Sequence, residues 1–334
     1  MMRSDSGKAM RADLRALARR INRLTAGPCD PLLNVMVRTL RIFGALLLLG
    51  AVWGLMPSLA KLMMGHGMRP LGIVAIAAGI SMVALLLVAA WQRNLPRFTP
   101  AHLRHYLLGG FIGMALANLF AFTGLQRAPA GLFALLVPLA GLFSVVLFAL
   151  AGLDRATPRR ILGTLVGLAG VLLAMAPGAA LPDPAMLPWA AVMLLTPLCY
   201  AVANLLSVKL AVPGSAPVAQ AAGTVMGAAL TSVLLAWPMG HLSLPSDGTV
   251  AWLLLAHGLL NALGYLLYFR LLVGVGGIVT SQTSMTLTLC GLVYGFLVFG
   301  EVPGWLTIPA VALIFGGLLL VTMPPRRKIS PAGS

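Results

Sequence analysis

Acidic side chains are nearly missing from this sequence: seven Asp and Glu stand against 23 Lys and Arg in 334 residues. They are Asp5, Asp13, Asp30, Asp154, Asp183, Asp247 and Glu301, too scattered for the paired carboxylates of an acid–base active site. Charge of either sign is scarce, at 9% of residues against about a quarter in a water-soluble domain. That scarcity, with 60% hydrophobic residues and a mean hydropathy of +0.97, excludes an ordinary soluble domain and places the chain in the membrane class. Cysteine is rare: Cys29, Cys199 and Cys290 lie far apart, without disulfide or metal-site spacing. No metal, cofactor or catalytic residue is expected. A GxxxxGK[ST] loop is also missing, which argues against a pump driven by nucleotide. The net charge of +16 has no finger or RNA-binding motif beside it, so nucleic acid is not expected as a partner.

What is present is a series of long apolar runs. Crossing the hydrocarbon takes about 20 apolar residues in a helix. Ten runs are of this kind, at 42–64, 70–91, 105–125, 129–150, 160–176, 187–209, 215–237, 249–271, 276–298 and 304–322. Each backbone group in lipid must be bonded within its own segment, so the runs are helices and the fold is all-α. With the N-terminus inside, 20 Lys and Arg fall on the inner side and three (Lys61, Arg69, Arg127) on the outer. The asymmetry predicts both termini in the cytoplasm. The start of the chain lacks the pattern of a cleavable signal peptide. Residues 8–24 have the spacing of a basic amphipathic helix on an anionic leaflet, and read equally as a dispensable extension, since Met36 is a second potential start.

Shifted by 147 residues, the sequence falls onto itself: Asp154 meets Glu301, Trp53 meets Tyr200, Pro70 meets Pro217, Phe122 meets Phe269 and Gly170 meets Gly317. Each half holds five helices, an odd number, so the second half runs upside down relative to the first. Inverted repeats are a signature of secondary transporters, in which a site between the halves opens to either face. The expected organisation is a basic cytoplasmic segment 1–41, a first repeat 42–176, a second repeat 187–323 and a cytoplasmic tail 324–334.

Two stretches are alike: PAGLFALLVPLAGLFSVVLFALAGLDRATPRRILGTLVGLAGVLLAM at 129–175, and GGIVTSQTSMTLTLCGLVYGFLVFGEVPGWLTIPAVALIFGGLLLVTM at 276–323. Each is an apolar helix, an acid, a short turn and a Gly-rich helix. With AVWGLMPSLAKL at 51–62, they resemble the paired EamA-type repeats of the drug/metabolite transporter superfamily. The family usually has Glu where this chain has Asp154. The resemblance implies a ten-helix inner-membrane carrier of small metabolites, amino acids or drugs.

Polar residues inside the spans are the binding candidates, because burying them in lipid is costly. The densest cluster is TSQTSMTLT at 280–288. Ser281, Ser284 and Thr288 form one stripe with Gly291 and Gly295, and Gln282 and Thr286 lie elsewhere on the helix. Such a helix is expected beside a central cavity, although Ser and Thr also bond their own helix carbonyls. The corresponding stretch of the first repeat, FALLVPLAG at 133–141, is apolar, which suggests one polar and one apolar wall for an amphipathic solute. Further candidates are Trp53, Asn118, Tyr200, Asn204, His257, Asn261 and Tyr265. For each Asn the competing reading is an interhelical hydrogen bond. Pro57, Pro138 and Pro197 are expected to interrupt helices one, four and six and to free carbonyls. Asp154 and Glu301 read as carboxylates that organise turns or gate, each approaching the positive N-terminus of the next helix, with Arg155 and Arg159 beside Asp154 and no basic neighbour for Glu301. Lys61 and Arg270 read as snorkelling side chains.

The expected function is a secondary transporter that exports a small amphipathic metabolite or amino acid by alternating access across the inner membrane. No acid lies in mid-span, so movement driven by the solute's own gradient is expected. A multidrug or lipid translocator stays open, as does, behind it, a membrane-embedded enzyme. The partners expected are the small-molecule solute and the lipid bilayer, and a homodimer is left open.

Overall fold

The computed structural model describes residues 31–153, 157–174, 176, 183–210, 212–245, 247–275, 280 and 283–322. Asp154, Ser281, Gln282, the segment 8–24 and the tail lie outside these. The chain divides into two units, Met1–Gly44 and Ala45–Ser334. In the first unit the described residues are helical. The packing below concerns the second.

The elements are α1 (Pro31–Gly65), α2 (Pro70–Trp91), α3 (Pro100–Leu125), α4 (Ala130–Leu150), α5 (Pro158–Ala174), α6 (Pro184–Lys209), α7 (Pro217–Ala236), α8 (Gly248–Val275), α9 (Thr283–Phe299) and α10 (Thr307–Thr322). No strand occurs among the described residues. Seven of the helices, α1 to α4 and α6 to α8, are long and apolar enough to cross a membrane. The other three are shorter, at 17, 17 and 16 residues.

Proline marks the starts. Pro70, Pro100 and Pro217 stand in the first turns of α2, α3 and α7, where a missing N–H costs no helix bond. Thr99 caps α3 through the His102 N–H, and Thr157 accepts the Arg160 N–H at 3.4 Å at the start of α5. Inside the helices proline acts unevenly. Pro138 splits α4 into Ala130–Leu136 and Leu139–Leu150. Pro197 follows a break at Leu194 in α6. Pro57, expected to interrupt α1, sits inside an unbroken helix. In α3 the stretch Phe111–Leu116 is π-helical, a local widening common at functional sites.

Small residues set how closely the helices approach. A Cβ on Gly110 would strike the α7 backbone at Thr224 and Ala228. One on Gly258 would strike Ala77 and Ile80 of α2, and Ser81 donates to the Gly258 carbonyl at 2.7 Å. These two contacts are the same contact. Adding the 147-residue offset to Ala77 and Ser81 gives Thr224 and Ala228; subtracting it from Gly258 gives Phe111, beside Gly110. The α2–α8 and α7–α3 interfaces therefore correspond. So do two others, since α1 packs on α9 at Gly50 and Gly54, and α6 packs on α4. The largest apolar core draws on every helix but α7, around Leu132, Leu135, Leu139, Leu142 and Ile314.

Candidate functional site

Helix α4 begins at Ala130 with Pro129 before it, and no side chain at that position caps the first turn. Its free N–H groups need an acceptor from elsewhere. Glu301 supplies it. Helix α9 ends at Phe299, and Gly300, with φ of 64°, turns the chain back while its N–H bonds the Phe296 carbonyl at 2.9 Å. The turn aims the Glu301 carboxylate at α4: Oε1 accepts from Ala130 N–H at 2.9 Å and Oε2 from Gly131 N–H at 2.8 Å. Lys61 of α1 donates to Oε1 at 2.7 Å and to the Ala128 carbonyl at 3.3 Å, and its ammonium stands 4.7 Å from the Phe299 ring centre. A Cβ on Gly295 would lie 2.8 Å from Oε2, so glycine there makes room for the carboxylate. One carboxylate thus joins α1, α4 and α9.

Three expectations are corrected by this arrangement. Glu301 has a basic neighbour, Lys61, placed 240 residues away in sequence. Lys61 does not snorkel freely but is fixed in an ion pair. The helix N-terminus that Glu301 meets is that of α4, not of the following helix α10. Above the pair opens a cavity of about 690 Å³, whose lining includes Lys61, Arg69, Arg127, Met64, Leu125 and Phe299.

Further along α9, Thr288, Gly291 and Gly295 of the polar stripe pack on α4. Thr288 is fully buried, and its hydroxyl lies 2.8 Å from both the Ala134 and the Ser284 carbonyls. Residue 138 would normally donate its N–H to the Ala134 carbonyl, but it is proline. Thr288 therefore satisfies the acceptor that Pro138 leaves open. A Cβ on Gly291 would lie 2.6 Å from the Ala134 Cβ, and the Gly131 N–H lies 3.2 Å from where a Gly295 Cβ would stand, so these two glycines of the stripe serve helix packing too. Thr286, on another side of α9, donates to the Leu46 carbonyl of α1 at 2.9 Å. Replacing Thr288 by Val should destabilise by about 1 kcal/mol, the usual size of such a bond in a membrane bundle. Adding Pro138→Ala should recover part of it, because alanine at that position restores the N–H. Thermal unfolding of the two variants checks this; equal losses with and without Pro138→Ala would refute the link.

The EamA-like transporter family model matches residues 41–176 and again 187–323. The chain belongs to the EamA-like transporter family. It is a two-repeat, multi-pass membrane protein of the drug/metabolite transporter superfamily. The uncharacterized protein PA1977 of Pseudomonas aeruginosa is 32% identical to it over 234 residues, which is 68% of this chain and 77% of that one. A solved crystal structure aligns with a TM-score of 0.59 at 22% identity, covering 84% of this chain and 98% of the other, which is a likeness of fold.

In this EamA-type chain the remaining candidates fall into separate groups. Trp53 of α1 meets two tyrosines of α8: Tyr265 edge-on, with ring centres 5.7 Å apart, and Tyr268 at 5.5 Å. A Cβ on Gly264 would collide with the Trp53 indole. Tyr200 is half-buried on α6. Asn204 donates to Ser144 of α4 at 3.5 Å. Asn118 is half-buried on α3. Asn261 is buried, and its side-chain amide donates to Ser81 of α2 at 3.1 Å, an interhelical bond. His257 is 4% exposed and edge-on to Phe122; among the described residues neither ring nitrogen has a hydrogen-bond partner. Tyr268 escaped the sequence reading, although a position three residues from Tyr265 shares its helix face.

Proposed function

We propose that this EamA-type carrier is a secondary transporter that exports a small amphipathic metabolite or amino acid across the inner membrane by alternating access. The observation that carries the reading is the correspondence of interfaces between the repeats. The α1–α9 contact answers to α6–α4, and α2–α8 answers to α7–α3. Two halves built on equivalent contacts can exchange conformations, closing one mouth while opening the other. In this proposal α5, α9 and α10 span with the seven longer helices. The ten helices form two inverted repeats with both termini in the cytoplasm.

Contacts between loops support that topology. Lys61–Glu301 and His66–Asp247 (3.6 Å) each join segments that charge counting puts outside. His102 and Ser215, 3.0 Å apart, join segments that it puts inside. Trp53, Tyr265 and Tyr200 form the aromatic wall for the solute, with Asn118, Asn204, His257 and Ser284 as polar contacts. Pro138, Pro197 and Glu301 set the helix breaks and ties that shift during the exchange.

The test is counterflow of labelled amphipathic amino acids by the purified chain in liposomes. Uptake should be saturable, and equal with and without a pH gradient, since movement follows the solute gradient. Strong acceleration by the gradient would refute solute-driven movement. Scrambling of labelled phospholipid without solute counterflow would favour the lipid translocator.

A further inference from the structure

The cavity above the Lys61–Glu301 pair has a charge pattern that the helix tie does not explain. Its rim carries Arg69, at the N-cap of α2, and Arg127, just past the end of α3. Both are exposed, and among the described residues neither is in an ion pair. The nearby carboxylates are engaged: Glu301 holds two α4 N–H groups and Lys61, and Asp247 stands against His66. Two guanidinium groups thus face a concave space with no protein anion assigned to them. A concave wall that carries charge of one sign concentrates its field on an anion that enters. Met64 and Phe299 give the lining an apolar side, and the volume of about 690 Å³ suits a small solute.

We infer that this vestibule binds the carboxylate of an amphipathic solute, with Arg69 and Arg127 holding the anionic group and the apolar side of the lining taking the rest. Arginine suits the task because its planar fork pairs with both oxygens of a carboxylate. The inference rests on the transport reading only in calling that ligand the cargo. It narrows the cargo to compounds with an anionic group at one end. A phospholipid headgroup offers an anion too, and the experiment separates the two sources.

The full chain is placed in phosphatidylcholine nanodiscs and melted with increasing phenylacetate or phenylacetamide, which match in shape but differ in charge. Phenylacetate should raise the melting temperature in a saturable way, and phenylacetamide should need about tenfold more for the same rise. The double variant Arg69→Gln, Arg127→Gln should melt like the unchanged chain without ligand, as both side chains are exposed. It should need about tenfold more phenylacetate, and Arg69→Lys with Arg127→Lys should lose less. Equal response to the two compounds, or an unchanged response in the Gln variant, would overturn the assignment. So would loss of the phenylacetate response in phosphatidylglycerol discs, which gives the site to the lipid headgroup. Binding here is read without transport. Binding with no counterflow of any solute removes the transporter reading and leaves the vestibule standing; counterflow with no charge-selective binding does the reverse.

Discussion

Glu301→Ala is expected to lower stability by about 2–3 kcal/mol and to abolish solute counterflow. The substitution leaves the Ala130 and Gly131 N–H groups and the Lys61 ammonium without their acceptor at once. A deeply buried pair would cost more, but the Lys61 and Glu301 side chains keep 26% and 17% of their exposure, so water replaces part of the loss. Two further variants divide the effect. Glu301→Gln keeps an acceptor oxygen for the α4 N-terminus and loses the charge, so it should cost about 1 kcal/mol. Lys61→Met leaves the carboxylate on α4 and should also cost about 1 kcal/mol, while their double variant should cost less than the sum. Thermal melting of the four proteins in detergent reads these values, and liposome counterflow reads the function. If Glu301→Ala melted with the unchanged chain, the carboxylate would not hold α1, α4 and α9 together.

The helices were readable from hydropathy because lipid forces long, internally bonded segments. The 147-residue offset was readable as residue identities and reappears as the matched contacts of Gly258 and Gly110. The Glu301 tie was half readable. Charge counting placed Lys61 and Glu301 on one face, but no local rule pairs residues 240 apart. The overlooked signal was at α4, whose start at Pro129 offers no Ser, Thr, Asp or Asn to cap it. Thr288 was misread for a related reason. A hydroxyl in lipid suggests a solute site, yet the acceptor it serves exists only because Pro138, on another helix, lacks an N–H. Trp53 and Tyr265 are each candidates in the sequence, but that they touch depends on Gly264, which lets α8 approach α1.

Gly317→Val should be the most damaging substitution in the second repeat's last helix, by about 3 kcal/mol or more, with little monodisperse protein recovered. Helices α5 and α10 are short, with 17 and 16 residues, so close contact between them must supply much of what holds them. A Cβ on Gly317 would stand 2.5 Å from the Gly163 carbonyl oxygen and the Gly167 nitrogen, and 2.8 Å from the Gly167 Cα. All three are backbone atoms of α5, so no side-chain rotation relieves the clash. The opposing wall repeats the device, since a Cβ on Gly170 would lie 2.8 Å from the Ala310 carbonyl and the Ile314 nitrogen of α10. Gly170 and Gly317 are repeat mates at the 147-residue offset, so the contact is matched from both sides. The neighbouring position tests the argument, because a Cβ on Gly316 would meet nothing within 4 Å. Gly316→Ala should therefore be neutral or stabilising by about 0.5 kcal/mol, through a less flexible unfolded chain. Size-exclusion profiles and melting temperatures of the two variants give the answer. Similar behaviour of Gly316→Ala and Gly317→Val would mean that α5 and α10 do not meet backbone to backbone at this point.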